Sequence, residues 1–332
     1  MTAPAWTQPE LYLAQRLVRE GLNTDQVSKE LEKAGSRRTQ QAVRRLIQRK
    51  RKVEGGWWAR VAPNPPCAPR FDKPLRVEAD RALIMIDIHA PFHDADWCNR
   101  VIDLAIRWGV DTAAIAGDLV DFDAFSKWGR QERVEAEDEI ASAKQLVKTF
   151  CSTFGRVIYS GGNHENRLPR QTDNLLALRT AMQMFTNGTK TEITDYHWFE
   201  LISGGERYYV EHPKNVSIHA TIVPKALASK YLCHIIAGHG HTWGITRDRS
   251  DSFWCIDSGI CADPERLAYT HKVHTTRPKE VQGAVLVLDG IPVLVAPHNI
   301  AFYERKQKGC DCSHPGGVVL AGIGQFPTPS PL

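Results

Sequence analysis

Five short apolar runs, each ending in a polar cluster, are the feature that most constrains how this chain can fold. They are "RALIMIDIH", "TAAIAGDLVD", "RVIYSGGNHE", "RYYVEH" and "HIIAGHGH". Continuous apolar runs of this length are typical of buried strands, and helical stretches such as "DWCNRVIDLAIRWG" lie between several of them. The pattern predicts an α/β sheet whose ligand site lies beyond the carboxyl ends of its strands.

The predicted strand ends carry six side chains that can bind metal ions: Asp87, His89, Asp118, Asn163, His239 and His241. In "DIH" and "GHGH" the paired residues stand two apart, so both members of each pair point the same way. Gly238 and Gly240 are predicted to allow an unusual backbone close to the ligands. Carboxylate, imidazole and amide ligands without a thiolate suit Mn, Fe, Zn or Ni.

Taken in order, these motifs resemble those of the calcineurin-like metallophosphoesterases: D-x-H, G-D-x-x-D, G-N-H-E/D, a separate H and G-H-x-H. Here they read "DIH", "GDLVD", "GNHE", a histidine in "VEHPKNVSIHA" and "GHGH". The resemblance implies a four-layer α/β/β/α sandwich that binds two divalent metal ions, with Mn favoured and Fe, Zn or Ni allowed. The flanking "DIHAPFHD" and "DPERLAY" further resemble bacteriophage and prophage members of the family.

The resemblance also implies a role for each motif residue. One ion would take Asp87, His89 and His241, the other would take Asn163, His239 and the separate histidine, and Asp118 would bridge both. His212 and His219 are both candidates for the separate histidine. His212 is preferred because it ends the strand-like "RYYVEH" and leaves room for a helix, "PKALASKYL", before "GHGH".

Such a site predicts phosphoester chemistry. Two divalent ions with only two carboxylates keep a surplus positive charge that attracts phosphate, and paired ions generate a metal-bridging hydroxide that attacks it. His164 would protonate the leaving oxygen, and Asp121 would orient and charge that imidazole. Arg167 is predicted either to contact phosphate or to form an ordinary salt bridge. The predicted supporting residues are His93, Asp94 and Glu165.

The N-terminal residues predict a small all-α domain of three helices. These are "PELYLAQRLVREG", "NTDQVSKELEKAG" with Thr24 as N-cap, and the basic "SRRTQQAVRRLIQRKRK" from Ser36 to Lys52. Two short helices and a basic third resemble a helix-turn-helix unit, whose last helix enters the DNA major groove. The alternative is a solvated or partner-docking helix. The predicted nucleic-acid contacts are Arg37, Arg38, Gln40, Gln41, Arg44, Arg45 and Arg49.

Composition divides the chain into four predicted segments. The predicted domains are a helix-turn-helix-like domain (1–54), a Pro/Gly-rich linker (55–77), a metallophosphoesterase domain (78–305) and a flexible tail (306–332). No export signal and no apolar run of membrane-spanning length is visible in the sequence, which predicts a cytoplasmic protein, within a bacterial host if it is phage-encoded. A homo-oligomer is allowed, because helix-turn-helix units often work as dimers.

The leading interpretation is a two-metal phosphodiesterase carried to nucleic acid by its N-terminal domain, and therefore nuclease-like. One alternative is a phosphatase or a nucleotide or cyclic-nucleotide phosphodiesterase whose basic module only localises it. Another is a DNA-binding regulator that has retained metal ions for stability. The presence of both His164 and Asp121 favours an enzyme, since a structural metal site does not need an acid beside it.

Overall fold

The computed structural model describes residues 5–54, 74–126, 134–267, 276 and 278–306. The chain divides into two compact units, Met1–Phe71 and Asp72–Leu332. Residues 55–73 of the predicted linker, and the predicted tail beyond residue 306, lie outside the described residues. No described helix is both long enough and apolar enough to cross a lipid bilayer.

The first unit contains the three predicted helices, α1 (Gln8–Arg19), α2 (Thr24–Lys33) and α3 (Gln40–Glu54). Each is amphipathic, and together they bury one small core: Ala14, Leu17, Val18, Val27, Leu31, Val43, Leu46 and Ile47. Burial of this apolar stripe provides most of the stability of helices as short as these.

Two helix starts differ from the sequence prediction. The N-cap of α2 is Asn23 rather than Thr24, because the Asn23 side chain accepts a hydrogen bond from the Gln26 N–H (3.0 Å) and Gln26 accepts one in return (2.9 Å). Helix α3 begins at Gln40 rather than Ser36. The Ser36 hydroxyl and the Arg38 guanidinium donate hydrogen bonds to Glu10 instead, which holds that segment outside the helix.

The second unit contains two sheets of six strands each. Sheet I has the order β12-β11-β2-β3-β4-β5, and sheet II has the order β1-β6-β7-β8-β10-β9. The strands are β1 (Arg76–Glu78), β2 (Arg81–Met85), β3 (Thr112–Ala116), β4 (Arg156–Ser160), β5 (Glu192–Thr194), β6 (Trp198–Ser203), β7 (Glu206–Glu211), β8 (His234–Ala237), β9 (Trp243–Arg247), β10 (Trp254–Ser258), β11 (Ala284–Leu288) and β12 (Ile291–Val295). The strands β2, β3 and β4 are parallel neighbours, and so are β7, β8 and β10.

The described helices of this unit are α4 (Ala95–Arg107), α5 (Ala136–Thr153), α6 (Arg167–Gln171), α7 (Leu178–Thr186), α8 (Ile222–Tyr231) and α9 (Ile300–Lys306). One core lies between the sheets, where Ile84 and Ile158 of sheet I meet Phe199 and Ile236 of sheet II. A second core packs α4, α5 and α7 on the outer face of sheet I. A third packs α8 on sheet II. These layers confirm the predicted α/β/β/α architecture.

All five apolar runs form strands, and the "LDGI" segment forms the predicted hairpin turn between β11 and β12. The prediction missed β1 and β5, which are only three residues long, and also β6, β9, α6 and α7. Residues of β6 alternate between half-buried and buried along "WFELIS", but Trp198 and Ile202 on the half-buried face are apolar, so the sequence does not show a clean polar and apolar alternation. Strand β1 places the start of sheet II two residues before the predicted domain boundary at 78.

Candidate metal centre

The predicted ligands meet at one edge of the two sheets, because the carboxyl ends of their parallel strands converge there. Sheet I contributes the segments after β2, β3 and β4, and sheet II contributes those after β7 and β8. The groups whose donor atoms lie within 4.8 Å of one another are Asp87, His89 and His241; His89, Asp118 and His164; and Asp118, His212 and His239. The first group is the complete ligand set predicted for one ion, apart from the bridging Asp118.

The carboxylate of Asp87 lies at the centre of the cluster. Its Oδ1 atom is 3.1 Å from Nε2 of His212 and 3.8 Å from Nε2 of both His89 and His241. The same His212 nitrogen lies 3.1 Å from Asp118 Oδ2, so this imidazole joins the two carboxylates. The structure thus places His212 in the cluster, whereas His219 is exposed to solvent.

Two atoms that could coordinate a metal ion show whether metal ions fit this site. His89 Nε2 and Asn163 Oδ1 are buried, and neither has a hydrogen-bond partner among the described residues. Buried polar atoms are almost always satisfied, so two orphaned atoms beside a carboxylate and imidazole cluster indicate a missing partner. Because a divalent cation binds imidazole nitrogen and amide oxygen alike, the residues fit the metal ions that the motifs imply.

Three of the ligand groups are already in the protonation state that binds a cation. Burial opposes ionisation of Asp87, but the hydrogen bond from His212 and the charge of His241 lower its pKa to about 2. Burial, together with the charge of His212, lowers the pKa of His239 to about 4. The pKa of His241 also falls to about 4, chiefly through burial. A carboxylate that is charged at neutral pH therefore lies beside two imidazoles that are neutral, which is the state in which both groups bind metal ions. Burial opposes protonation of His212 and His89, but the neighbouring aspartates raise the pKa of both rings, so a metal ion would displace a proton when it binds them.

The backbone at the ligands is left-handed. Positive φ angles of 50° to 69° occur at Asp87, His89, Asp118, His239 and His241. Such a conformation costs about 1 kcal/mol or more for a residue other than glycine, and it persists only where its surroundings hold it. Here the His239 N–H donates to Asp87 Oδ2 (2.8 Å), and the His164 N–H donates to Asp118 Oδ1 (2.9 Å).

Gly238 and Gly162 serve close approach rather than the backbone freedom predicted for "GHGH". Gly238 and Gly240 do not have positive φ angles. A Cβ atom on Gly238 would lie 2.2 Å from the Ile86 side chain, and one on Gly162 would lie 2.1 Å from Asp118 Oδ1. Contacts this short do not occur between real atoms, so larger residues at these two positions would displace the neighbouring carboxylates.

His164 and Asp121 lie in contact, as the sequence predicts. The ring Nδ1 of His164 is 2.7 Å from the Asp121 carbonyl oxygen and 3.2 Å from its Oδ1. The same Oδ1 lies 2.9 Å from Nδ1 of His89, which leaves Nε2 of His89 free to face a metal ion. Burial opposes ionisation of Asp121, yet hydrogen bonds from His164 and His89 hold its pKa far below the usual range.

Arg167 completes this arrangement. Its guanidinium donates to the Asp121 carbonyl oxygen (2.8 Å) and to Nε2 of His164 (2.9 Å). Since a guanidinium only donates, Nε2 of His164 accepts and its proton lies on Nδ1, facing Asp121. The guanidinium also lies 3.7 Å from Asp121 Oδ2, which is the salt bridge predicted as one of its two roles, and contact with phosphate stays a prediction.

Glu165 connects the segments after β3 and β4. Its buried carboxylate accepts from the backbone N–H groups of Asp118 (3.1 Å), Leu119 (2.7 Å) and Gly162 (2.6 Å), and from the Tyr159 hydroxyl (2.8 Å). Two of these four donors lie at or directly before a predicted ligand. The supporting role predicted for Glu165 therefore has a definite form, which is to hold Asp118 and Asn163 at a fixed separation.

We expect Glu165→Gln to lower the free energy of unfolding by about 2 kcal/mol, because the amide nitrogen would face a backbone N–H that no longer has an acceptor. Thermal unfolding measured by circular dichroism would detect this change. The matched control is Glu137→Gln, which makes the same change at an exposed position of α5. An unchanged melting temperature in Glu165→Gln would contradict this role.

Asp94 has a different role from the predicted support of the ligands. Its carboxylate caps α4 by accepting from the Trp97 N–H (2.9 Å), and it also accepts from the Gln282 amide (2.7 Å). His93 is half-buried beside it, and its Nδ1 has no hydrogen-bond partner among the described residues. Burial and the charge of Arg266 lower the pKa of His93.

The sequence interpretation missed two buried acids near the site. Glu139 of α5 accepts from the Asp123 N–H (3.1 Å), and burial together with the charge of Asp121 raises its pKa to about 8. Asp257 accepts from the Thr221 N–H (2.5 Å) and the Thr242 hydroxyl (3.1 Å), and burial raises its pKa to about 6. Glu139 lies in the acidic run "EAEDE", which looks like the exposed start of a helix, so no local signal marked it.

Comparison with known proteins gives only a distant likeness. No family model and no curated protein matches the chain. Among solved structures, the phosphoesterase Yfce from E. coli is 13% identical with a TM-score of 0.35, and the match covers 65% of this chain and 98% of that one. Vps29 from Chaetomium thermophilum is also 13% identical with a TM-score of 0.35, covering 63% of this chain and 78% of that one. Similarity at this level does not assign a function.

A zinc complex also appears among these structures. Vps29 from Entamoeba histolytica, complexed with Zn²⁺, is 12% identical with a TM-score of 0.32, and the match covers 65% of this chain and 97% of that one. The candidate metal site of the present chain is inferred from its own side chains and not from this likeness.

The predicted nucleic-acid contacts lie in the first unit, and all but one of them are exposed: Arg37, Gln40, Gln41, Arg44, Arg45 and Arg49. Arg38 is the exception, since its side chain is only 9% exposed. Its Nε and Nη2 atoms donate to the Glu10 carboxylate (2.9 and 2.7 Å), and its guanidinium lies 4.7 Å from the Trp6 ring centroid. The prediction of Arg38 as a groove contact is therefore withdrawn.

Proposed function

We propose that this chain is a metal-dependent phosphoesterase of the calcineurin-like type that hydrolyses phosphodiester bonds in nucleic acid. The observation that carries the proposal is the position of His164, which belongs to the metal-binding cluster and also contacts Asp121 and Arg167. A metal site kept only for stability has no need of an imidazole with a carboxylate on one ring nitrogen and a guanidinium on the other.

The ligands divide into two sets around Asp118. Asp87, His89 and His241 would hold one ion, and Asn163, His212 and His239 would hold the other, with Asp118 shared between them. When bound, divalent ions supply a water nucleophile at neutral pH and positive charge for the phosphoryl oxygens. Because the ligand set contains only two carboxylates, the loaded site keeps a net positive charge that favours a phosphate anion.

The remaining residues handle the proton and the phosphate. In the proposed complex the Arg167 guanidinium moves from Nε2 of His164 to a phosphate oxygen. Nε2 then takes up a proton from solvent and passes it to the leaving oxygen, while Asp121 stabilises the charged imidazole. The products are an alcohol and a phosphomonoester, as expected for hydrolysis of a diester. Burial of Asp121 keeps its carboxylate away from solvent, which strengthens its effect on His164.

The test compares four substrates with metal-stripped protein reloaded with Mn²⁺. They are bis(p-nitrophenyl) phosphate, p-nitrophenyl phosphate, and end-labelled single- and double-stranded DNA. We expect kcat/KM to be at least about tenfold higher for the diester than for the monoester, together with cleavage of DNA, and no activity in the metal-stripped sample. Preference for the monoester would favour the phosphatase alternative. No hydrolysis of any substrate with metal bound would overturn the enzymatic proposal.

A further inference from the structure

Charge is unevenly distributed among the three helices of the first unit. Helices α1 and α2 together contain four basic and four acidic side chains, whereas α3 contains six basic side chains and one acid, Glu54. A domain whose charge is balanced on two helices and strongly positive on the third presents one cationic surface rather than a diffuse positive field. Such a surface favours a polyanionic partner.

The charges of α1 and α2 are also largely neutralised by neighbours. Arg16 pairs with Glu20 (3.6 Å), Lys29 with Asp25 (2.8 Å) and Lys33 with Glu30 (2.6 Å). On α3, Lys50 pairs with Glu54. In contrast, no described carboxylate lies within 4.0 Å of the basic groups of Arg44, Arg45 and Arg49, so their charge is available to a ligand.

Six exposed residues of α3 form one continuous stripe, which we call the α3 stripe: Gln41, Arg44, Arg45, Gln48, Arg49 and Lys52. Spacings of three and four residues place them on one side of the helix, opposite the buried Val43, Leu46 and Ile47. The other exposed residues of the helix lie outside this stripe: Gln40, Arg51, Val53 and Glu54. At 1.5 Å per residue the stripe is about 17 Å long. Every member is an amide or a cation, without an acid or a large apolar side chain.

The turn before α3 is held by contacts within the unit. Besides its ion pair with Glu10, Arg38 donates to the Ala5 carbonyl oxygen (2.7 Å), and its own carbonyl oxygen accepts from the Ser28 hydroxyl. These bonds connect the start of α3 to the segments around α1 and α2. The α3 stripe is therefore presented by a packed scaffold, as a recognition surface needs to be.

We propose that the α3 stripe binds duplex DNA, with α3 lying in the major groove. The B-form major groove is wide enough for a helix, and Arg and Gln are the side chains that pair with guanine and adenine edges there. Duplex RNA fits less well, since its major groove is too deep and narrow for a helix. Within this surface Gln41, Arg44, Arg45 and Gln48 reach the bases, and Arg49 and Lys52 contact phosphates. The inference deepens the proposed function by naming the partner, but it does not depend on hydrolysis.

The experiment measures binding of the full-length protein to a fluorescein-labelled 20-base-pair random DNA duplex in EDTA, by anisotropy over a series of KCl concentrations. EDTA prevents metal-dependent cleavage, so loss of binding and loss of hydrolysis are separate results. We expect Arg49→Ala/Lys52→Ala, which removes the two proposed phosphate contacts, to weaken binding about 10- to 100-fold and to reduce the slope of log K against log [KCl] by about 2.

Two control variants make this result specific. Arg16→Ala/Lys29→Ala removes the same charge from α1 and α2 and should leave both affinity and slope close to wild type. Gln41→Ala/Gln48→Ala removes no charge and should leave the slope unchanged. The proposal is overturned if the two charge-removing variants lose affinity equally, if wild type does not bind at 50 mM KCl, or if duplex RNA or single-stranded DNA binds more tightly than duplex DNA.

Discussion

Asp118→Asn is expected to reduce kcat/KM for a phosphodiester by about 10³-fold or more and to lower the bound metal from two ions per chain to at most one. The Asp118 carboxylate lies within 4.8 Å of donor atoms of His89, from one proposed ion site, and of His212 and His239, from the other. Asparagine keeps the shape and can still accept from the His164 N–H, but it removes one of the two carboxylates of the cluster.

Metal content measured by inductively coupled plasma mass spectrometry, alongside hydrolysis of bis(p-nitrophenyl) phosphate, checks this expectation. The matched control is Asp96→Asn, the same substitution at an exposed position of α4, which should retain full metal content and activity. Two bound ions together with wild-type activity in Asp118→Asn would show that this carboxylate does not bridge the ions. Thermal unfolding of both variants separates loss of metal from loss of fold.

The second large effect concerns His164. We expect His164→Ala to reduce DNA hydrolysis by about 10²- to 10⁴-fold, because the alkoxide leaving group of DNA needs a proton in the transition state. p-Nitrophenolate is stable without a proton, so hydrolysis of bis(p-nitrophenyl) phosphate should fall much less. This difference between substrates is the signature of a general acid, and a purely structural histidine would not produce it.

The comparison needs an enzyme that still holds its metal ions, so metal content is measured in the same sample. His219→Ala is the control, since this histidine is exposed and lies outside the cluster. An equal loss for both substrates would assign His164 to metal retention instead of proton transfer. Removal of the Asp121 carboxylate should likewise reduce DNA hydrolysis more than hydrolysis of bis(p-nitrophenyl) phosphate, because this carboxylate lies 3.2 Å from the His164 ring.

The five strands that carry the candidate metal ligands, and the ligands themselves, could be predicted because both depend on local sequence. An apolar run followed by glycine and a polar group is visible within ten residues, and "GNHE" or "GHGH" places its ligands at a strand end without reference to the rest of the chain. The choice of His212 over His219 was open to the same reasoning, since only His212 directly follows a strand.

Other features depend on pairs of residues far apart in sequence, which no local pattern reveals. The ion pair of Arg38 with Glu10 joins positions 28 residues apart, and it removes from the cationic surface an arginine that composition alone would place there. Glu139 of α5 accepts a hydrogen bond from the N–H of Asp123, which lies 16 residues earlier in the chain. The left-handed backbone at His239 is likewise held by a hydrogen bond that its N–H donates to Asp87, which follows a strand of the other sheet, and it could not be predicted from the glycines beside it.

The metal cluster draws its ligands from both sheets, and this affects how the domain loses its structure. Asp87 follows a strand of sheet I, whereas His212 and His239 follow strands of sheet II, so ions held between them would fasten the two halves of the sandwich together at that edge. Slippage of one sheet across the other would have to release the ions first. The concentration of free metal in the cell would then affect the stability of the whole domain as well as its activity. The free energy of unfolding would rise by about 2.7 kcal/mol when free metal is 100 times its dissociation constant.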